Sequence, residues 1–234
     1  MRKIEVCLST ELIHLYDLKG KIVVVVDILR ATSTMVTGFA HHVEKLIPVT
    51  YVEECKALQA KGCIGAGERG GQVVESMDMG NSPYAFMDEN LKGKTIAMTT
   101  TNGTLAIQKS LSADKILIGA FLNIQSLANY LKEKPNDVLI FCAGWKGKFN
   151  LEDSLFAGNL IELLKDTHYC VDDAALATKS MYSDSKGDIT TYLANCAHVQ
   201  RLSKLNIEKD IEFCFQKDKF QVIPVYDEGK LVAL

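Results

Sequence analysis

The sequence predicts an α/β protein of three layers, α/β/α, with a mainly parallel but mixed central sheet between helices. Three observations carry that prediction. Short β-branched runs alternate with stretches of helical periodicity along most of the chain. One of them, "KIVVVVDI" at 21–28, is almost continuously apolar, as a strand covered on both faces must be. The chain has 234 residues, 47% apolar and 24% charged, which suffices to bury a full core in a single domain spanning 1–234.

The elements follow in order. After the valine strand, "TSTMVTGFAHH" has helical character. "VEKLIPVT" (43–50) reads as a strand, "YVEECKALQAKG" (51–62) as a helix and "CIGAGE" (63–68) as a short strand. "NSPYAFMDENL" (81–91) opens as a helix, with Asn81 or Ser82 as cap and Pro83 in the first turn, where its missing N–H is not needed. "KTIAMTT" (94–100) is a strand. Two readings compete for "TTTNGT" (99–104): Asn-Gly is a strong hairpin signal, but Leu105, Ala106 and Leu111 fall at helical spacing, which favours a strand running into a helix. "DKILIGA" (114–120) and "NDVLIFCAG" (136–144) are strands; "NIQSLANYLKEK" and "LEDSLFAGNLIELLKD" (151–166) are helices. Beyond Asp172 the chain is mostly helical, and "FQVIPVYDE" closes it as an edge strand, the place where Pro224 is tolerated.

Composition excludes some classes of function. With 26 basic and 29 acidic residues the net charge is −3, which argues against a nucleic-acid partner. "MRKIEVCLST" has no apolar signal core and no run approaches ~18 apolar residues, so a cytoplasmic protein without a membrane partner is expected. Seven dispersed cysteines without a C-x-x-C pair read as reduced thiols. No zinc spacing is present, and His14, His168 and His198 stand isolated. A homo-oligomer is compatible with everything here.

Ligands of such sheets bind where strands end and helices begin. At the first junction Asp27 is placed to hold a divalent metal, to act as a base, or simply to cap the next helix. Thr32, Ser33 and Thr34 follow as caps that leave N–H groups for an anion. "GERGGQ" sets Glu68 and Arg69 before Gly70 and Gly71, which permit positive φ and close approach of backbone to a ligand. Asn81 and Ser82 sit at a third junction, and Thr100, Thr101, Asn102, Gly103 and Thr104 form an anion cradle at a fourth. In "NLEDSL", Asp153 fits a capping box with Asn150, or Glu152 and Asp153 bind magnesium. Trp145, the only tryptophan, reads as a lid, a lining residue or a core side chain. Only four residues are arginine, and Arg30 and Arg69 stand in the polar loops, where a guanidinium fork suits phosphate, sulfonate or carboxylate.

"CIGAGERGGQ" (63–72) also has the cysteine-five-arginine spacing of a phosphatase loop, but Cys63 begins the strand instead of ending it, and no helix opens after Arg69. Cys142, at the end of "DVLIFC", is the better placed thiol, although core packing explains it too.

"VVVVDILRATST", "GERGGQ", "DMGNSPYAF", "TTTNGT", "AGWKGKFNLEDSLFAG" and the tail "DIEFCF…VIPV", in that order from about residue 20 to 225, closely resemble the 2-phosphosulfolactate phosphatase family. The resemblance implies a magnesium-dependent acid phosphatase that converts 2-phospho-3-sulfolactate to 3-sulfolactate and phosphate in coenzyme M biosynthesis. On that reading Mg²⁺ is held by Asp27, Glu68, Glu152 or Asp153. Arg30 and Arg69 stabilise charge on the phosphoryl group, and a carboxylate serves as base or nucleophile. The substrate is a small phosphorylated and sulfonated acid. A non-catalytic sensor of such acids and a phosphotransferase are the rival readings. Both would need the same loops to converge.

Overall fold

The computed structural model describes residues 1–205 and 207–234. Among them the strands are β1 (Arg2–Cys7), β2 (Ile22–Val26), β3 (Lys45–Pro48), β4 (Ile64–Arg69), β5 (Gln72–Val73), β6 (Thr95–Thr99), β7 (Lys115–Gly119), β8 (Val138–Cys142), β9 (His168–Cys170), β10 (Pro224–Asp227) and β11 (Lys230–Ala233). The helices are α1 (Ala31–Ala40), α2 (Val52–Gln59), α3 (Gly103–Lys109), α4 (Ile124–Lys132), α5 (Leu151–Leu164), α6 (Asp173–Ser185), α7 (Ile189–Leu193), α8 (Ala197–Ser203) and α9 (Glu208–Cys214).

The sheet order is β5-β4-β6-β3-β11-β10-β7-β2-β8-β1-β9. β2 lies between β7 and β8, parallel to both, and all five of its residues are buried, as its unbroken valines require. Alternate residues of β2 face different layers. Val24 and Val26 pack with α4, α5 and α6 through Leu127, Phe156 and Tyr182. Val23 and Val25 pack with Met35, Phe39 and Ile107 of α1 and α3. The fold is therefore α/β/α with a mixed, mostly parallel sheet.

The departures from expectation are informative. "FQVIPVYDE" does not form an edge: β10 sits inside the sheet, antiparallel to β11 and to β7, and β11 in turn is antiparallel to β3. Pro224 is tolerated because it opens its strand. Glu228 (φ 43°) and Gly229 (φ 89°) both take the positive dihedrals of a tight hairpin turn. This hairpin reverses the sense of the sheet. β3, β6 and β4 form one parallel block, β7, β2, β8, β1 and β9 another, and the two run in opposite directions. Val23 and Val25 of one block nevertheless share a core with Ile96 and Met98 of the other. The sheet curls around that core. The 81–91 segment is two short 3-10 turns, Ala85–Met87 and Glu89–Leu91, in place of a helix. "TTTNGT" is strand then helix, β6 into α3. Strands β1, β5, β9 and β11 have no counterpart in the sequence reading. No helix among the described residues is long and apolar enough to cross a membrane.

Candidate active site

Where the two blocks meet, the carboxyl ends of β2, β4 and β6 and the loop after β8 surround a narrow cleft. Asp27, Arg30, Glu68, Asn81 and Asn102 line it, and so do Trp145, His198 and Arg201.

The Asp27 carboxylate takes no hydrogen bond among the described residues; only its backbone is tied down, by the Thr32 hydroxyl at 3.0 Å. Burial, and behind it the charges of Glu68 and Glu152, push the Asp27 carboxyl up to about 7 against the pull of His198 and Arg30. Gly103 makes room for it: a Cβ there would lie 3.0 Å from Asp27 Oδ2 and 2.5 Å from Ala31 Cβ. Glu68 is buried and accepts from the Gly71 N–H, the Thr101 N–H (3.3 Å) and the Thr101 hydroxyl (3.2 Å). Gly70 (φ 66°) and Gly71 (φ 91°) make the two-residue turn from β4 into β5, which only residues at ease with positive φ can do.

Arg30 reaches the cleft, but its N–H groups are engaged. Nη1 donates to Asp210 Oδ2 and Nη2 to the Gly71 carbonyl, both at 2.8 Å. Ser82 donates to the other Asp210 oxygen, also at 2.8 Å. Asp210 thus anchors α9 to the first and third junctions. Arg69 does not line the cleft. It donates to the Thr50 carbonyl (3.0 Å) and the Thr99 hydroxyl (2.8 Å) on the far side of β4, because neighbouring residues of a strand point to opposite faces.

The hydroxyls at these junctions hold the loops to one another. Ser33 donates to the Ile28 carbonyl (2.8 Å) and Thr34 to that of Asn81 (3.1 Å), while Thr100 and Thr104 bond each other's backbone. Asn102 and Gly71 remain at the cleft, and Asn81 Oδ1 is buried there without a partner among the described residues.

The helix α5 carboxylates divide. Asp153 accepts from the N–H groups of Ile28 (2.9 Å) and Gly144 (3.2 Å), one on each oxygen, and so ties the loop after β2 to that after β8. Burial and its acidic neighbours Glu152 and Asp27 hold it well above the ordinary carboxylate range. Glu152 accepts from His198 Nδ1. His198 therefore does not stand isolated: Glu152 orients its ring, and Nε2 is left without a protein partner among the described residues. Nothing in the spacing announced this pair, since 46 positions separate its members.

Cys63 packs with Val49, Val52 and Leu58 away from the cleft. Cys142 is fully buried, and burial, with Asp153 next, keeps its thiol protonated. Neither is placed as a nucleophile.

Among the described residues no three His, Cys, Asp or Glu side chains are arranged to hold a metal ion. Magnesium asks for less: one or two carboxylates, with water and phosphate oxygens completing its shell. Asp27 and Glu68 meet that demand, and the repulsion that raises Asp27 is what a divalent cation would relieve. Glu152 and Asp153 do not line the cleft; they are held by His198 and by backbone N–H groups behind it.

A family model described as 2-phosphosulpholactate phosphatase matches residues 7–229. A protein of Caldanaerobacter subterraneus subsp. tengcongensis named "Probable 2-phosphosulfolactate phosphatase" is 39% identical over 218 residues, 91% of this chain and 90% of its own. Proteins of the same name from Clostridium novyi and Thermotoga maritima are each 37% identical, over 98% and 89% of this chain and 99% and 90% of their own. Match and cleft point the same way: this chain belongs to the 2-phosphosulpholactate phosphatase family, a family of phosphoric monoester hydrolases.

Proposed function

We propose that the protein hydrolyses 2-phospho-3-sulfolactate to 3-sulfolactate and phosphate with Mg²⁺ as cofactor, a reaction of the kind that serves coenzyme M biosynthesis. The observation that carries this reading is the meeting of Asp27, Glu68, Arg30 and Arg201 in one cleft of a chain of this family. Two carboxylates facing two guanidinium groups suit an ester that carries several negative charges and brings a cation with it.

Asp27 and Glu68 would hold the Mg²⁺, which supplies Lewis-acid polarisation of the phosphoryl oxygens. Asn81 and Asn102 orient the phosphoryl group through their amides. Arg30, fixed by Asp210 and the Gly71 carbonyl, adds positive charge to that end of the cleft without moving. Water attacks phosphorus and the bond to the C2 oxygen breaks; that oxygen leaves as an alkoxide and needs a proton. His198, its Nδ1 held by Glu152, supplies it from Nε2 and regains one from the solvent.

Phosphate release from 2-phospho-3-sulfolactate, measured with Mg²⁺ and after chelation, tests the reading. Turnover that depends on Mg²⁺ is expected. No release in either condition would discard the substrate, and undiminished release in chelator would discard the metal.

A further inference from the structure

Three of the four arginines donate to protein acceptors. Arg2 donates to main-chain carbonyls such as that of Lys132 (3.0 Å), and Arg30 and Arg69 are engaged as described. Arg201 is different. Its Nη1 is buried and has no hydrogen-bond partner among the described residues. Its guanidinium carbon lies over the Trp145 ring, 3.7 Å from the centroid, so the cation is held against an aromatic face. Gly71 lies against it: a Cβ at that position would stand 3.7 Å from Nη1, an ordinary contact, but 2.7 Å from Leu205 Cδ1. Burial lowers its basicity, while Glu68, Glu152 and Asp27 act to keep it charged. A buried donor left unmatched in a cleft calls for an acceptor from outside the chain.

We infer that Arg201, presented by Trp145, is the specificity-determining residue of the cleft and binds the oxyanion of the substrate that is not transferred. Two such groups stay on the ester named above, the carboxylate and the sulfonate; the assignment is to the sulfonate, and it rests on the phosphatase reading for its substrate. Arg30 is less suited, because Asp210 already neutralises its charge and the Gly71 carbonyl takes a second N–H, whereas no acidic side chain is paired with Arg201 among the described residues. The acidic wall of Asp27 and Glu68 repels any anion that does not arrive with a cation, which assigns the phosphoryl group to that wall and the second anion to Arg201. Contact with Trp145 restrains the guanidinium, so that two of its N–H groups meet two sulfonate oxygens at little cost in ordering.

Trp145 is the only tryptophan of the chain, so its emission reports on this contact alone. Titration of the intact protein with 3-sulfolactate, followed by that emission and by calorimetry, gives a Kd independent of turnover. Arg201→Met is expected to weaken binding about tenfold or more, the size of a lost charge-assisted hydrogen bond, and to raise KM for 2-phospho-3-sulfolactate in step while kcat changes less than about twofold. Arg201→Lys, which keeps the charge but not the fork, checks the result should the Met variant fold poorly; it recovers only part of the affinity. An unchanged Kd in both variants overturns the assignment, and so does a fall in kcat at constant KM, which would place Arg201 on the phosphoryl group. Wild-type protein that binds 3-sulfolactate through Arg201 but releases no phosphate leaves the assignment standing and removes the phosphatase reading.

Discussion

Asp210 of α9 holds Arg30 in place at the cleft, and its removal has a calculable cost. Its carboxylate and the Arg30 guanidinium are 7% and 6% exposed, 2.8 Å apart, and Ser82 donates to the remaining oxygen. Asp210→Ala leaves a cation buried without its counter-charge. Breaking such a pair from one side costs about 3–5 kcal/mol, against about 0–1 kcal/mol for an ion pair in water. In a chain of this length each kcal/mol lowers the melting temperature by roughly 2–4 °C, so a fall of roughly 6–20 °C is expected. Urea unfolding followed by circular dichroism measures it directly. The double variant Arg30→Met/Asp210→Leu separates pairing from packing, because an apolar pair of similar volume recovers most of the loss. It stays inactive if Arg30 supplies charge to the site. A loss below about 1 kcal/mol in Asp210→Ala would show the pair to be solvated and the anchoring of α9 by it to be wrong.

Asp27→Asn should reduce turnover by at least about a hundredfold while the protein becomes no less stable, since the substitution relieves the repulsion from Glu68 and Glu152; a variant that loses stability and keeps activity contradicts both halves. Gly103→Ala brings a methyl group within 2.5 Å of Ala31 Cβ and 3.0 Å of the Asp27 carboxylate, and should cost about 1–3 kcal/mol together with most of the turnover. Gly158→Ala tests the crossing of α5 and α6, where the added Cβ would stand 2.1 Å from the Thr178 carbonyl oxygen; a melting temperature within a degree of wild type would mean that the helices are not so close. His168 provides a pH signature. Burial lowers it to about 4 from an ordinary 6.5, so between those values the unfolded chain binds more protons, and stability rises with pH across the window and is lost toward pH 4. The full contribution is at most about 3 kcal/mol. His168→Gln should flatten the urea midpoint between pH 4 and 7, and parallel curves for the two proteins would rule out this residue as the source.

The parts of this molecule that could be read along the chain are those governed by neighbouring residues. Four consecutive valines made β2 a strand buried on both faces, and the helical spacing of Leu105 and Ala106 outweighed Asn-Gly to make α3. Asp27, Glu68 and Asn102 could be placed at the cleft because the crevice of such a sheet lies at the carboxyl ends of its strands. Arg69 and Arg30 looked alike in that reading. Pairing of β4 with β5 keeps the strand going past Glu68, and the two-residue period then turns Arg69 to the other face. The sense of the sheet was equally out of reach, since a four-residue strand such as β10 or β11 gains its place from partners more than 100 positions away, Leu117 and Leu46. His198 and Arg201 come from α8, far from any strand end, and acquire meaning only beside Glu152 and Trp145. Secondary structure follows from local sterics and periodicity, whereas the side chains that line the cleft are chosen by which distant surfaces the sheet brings into contact.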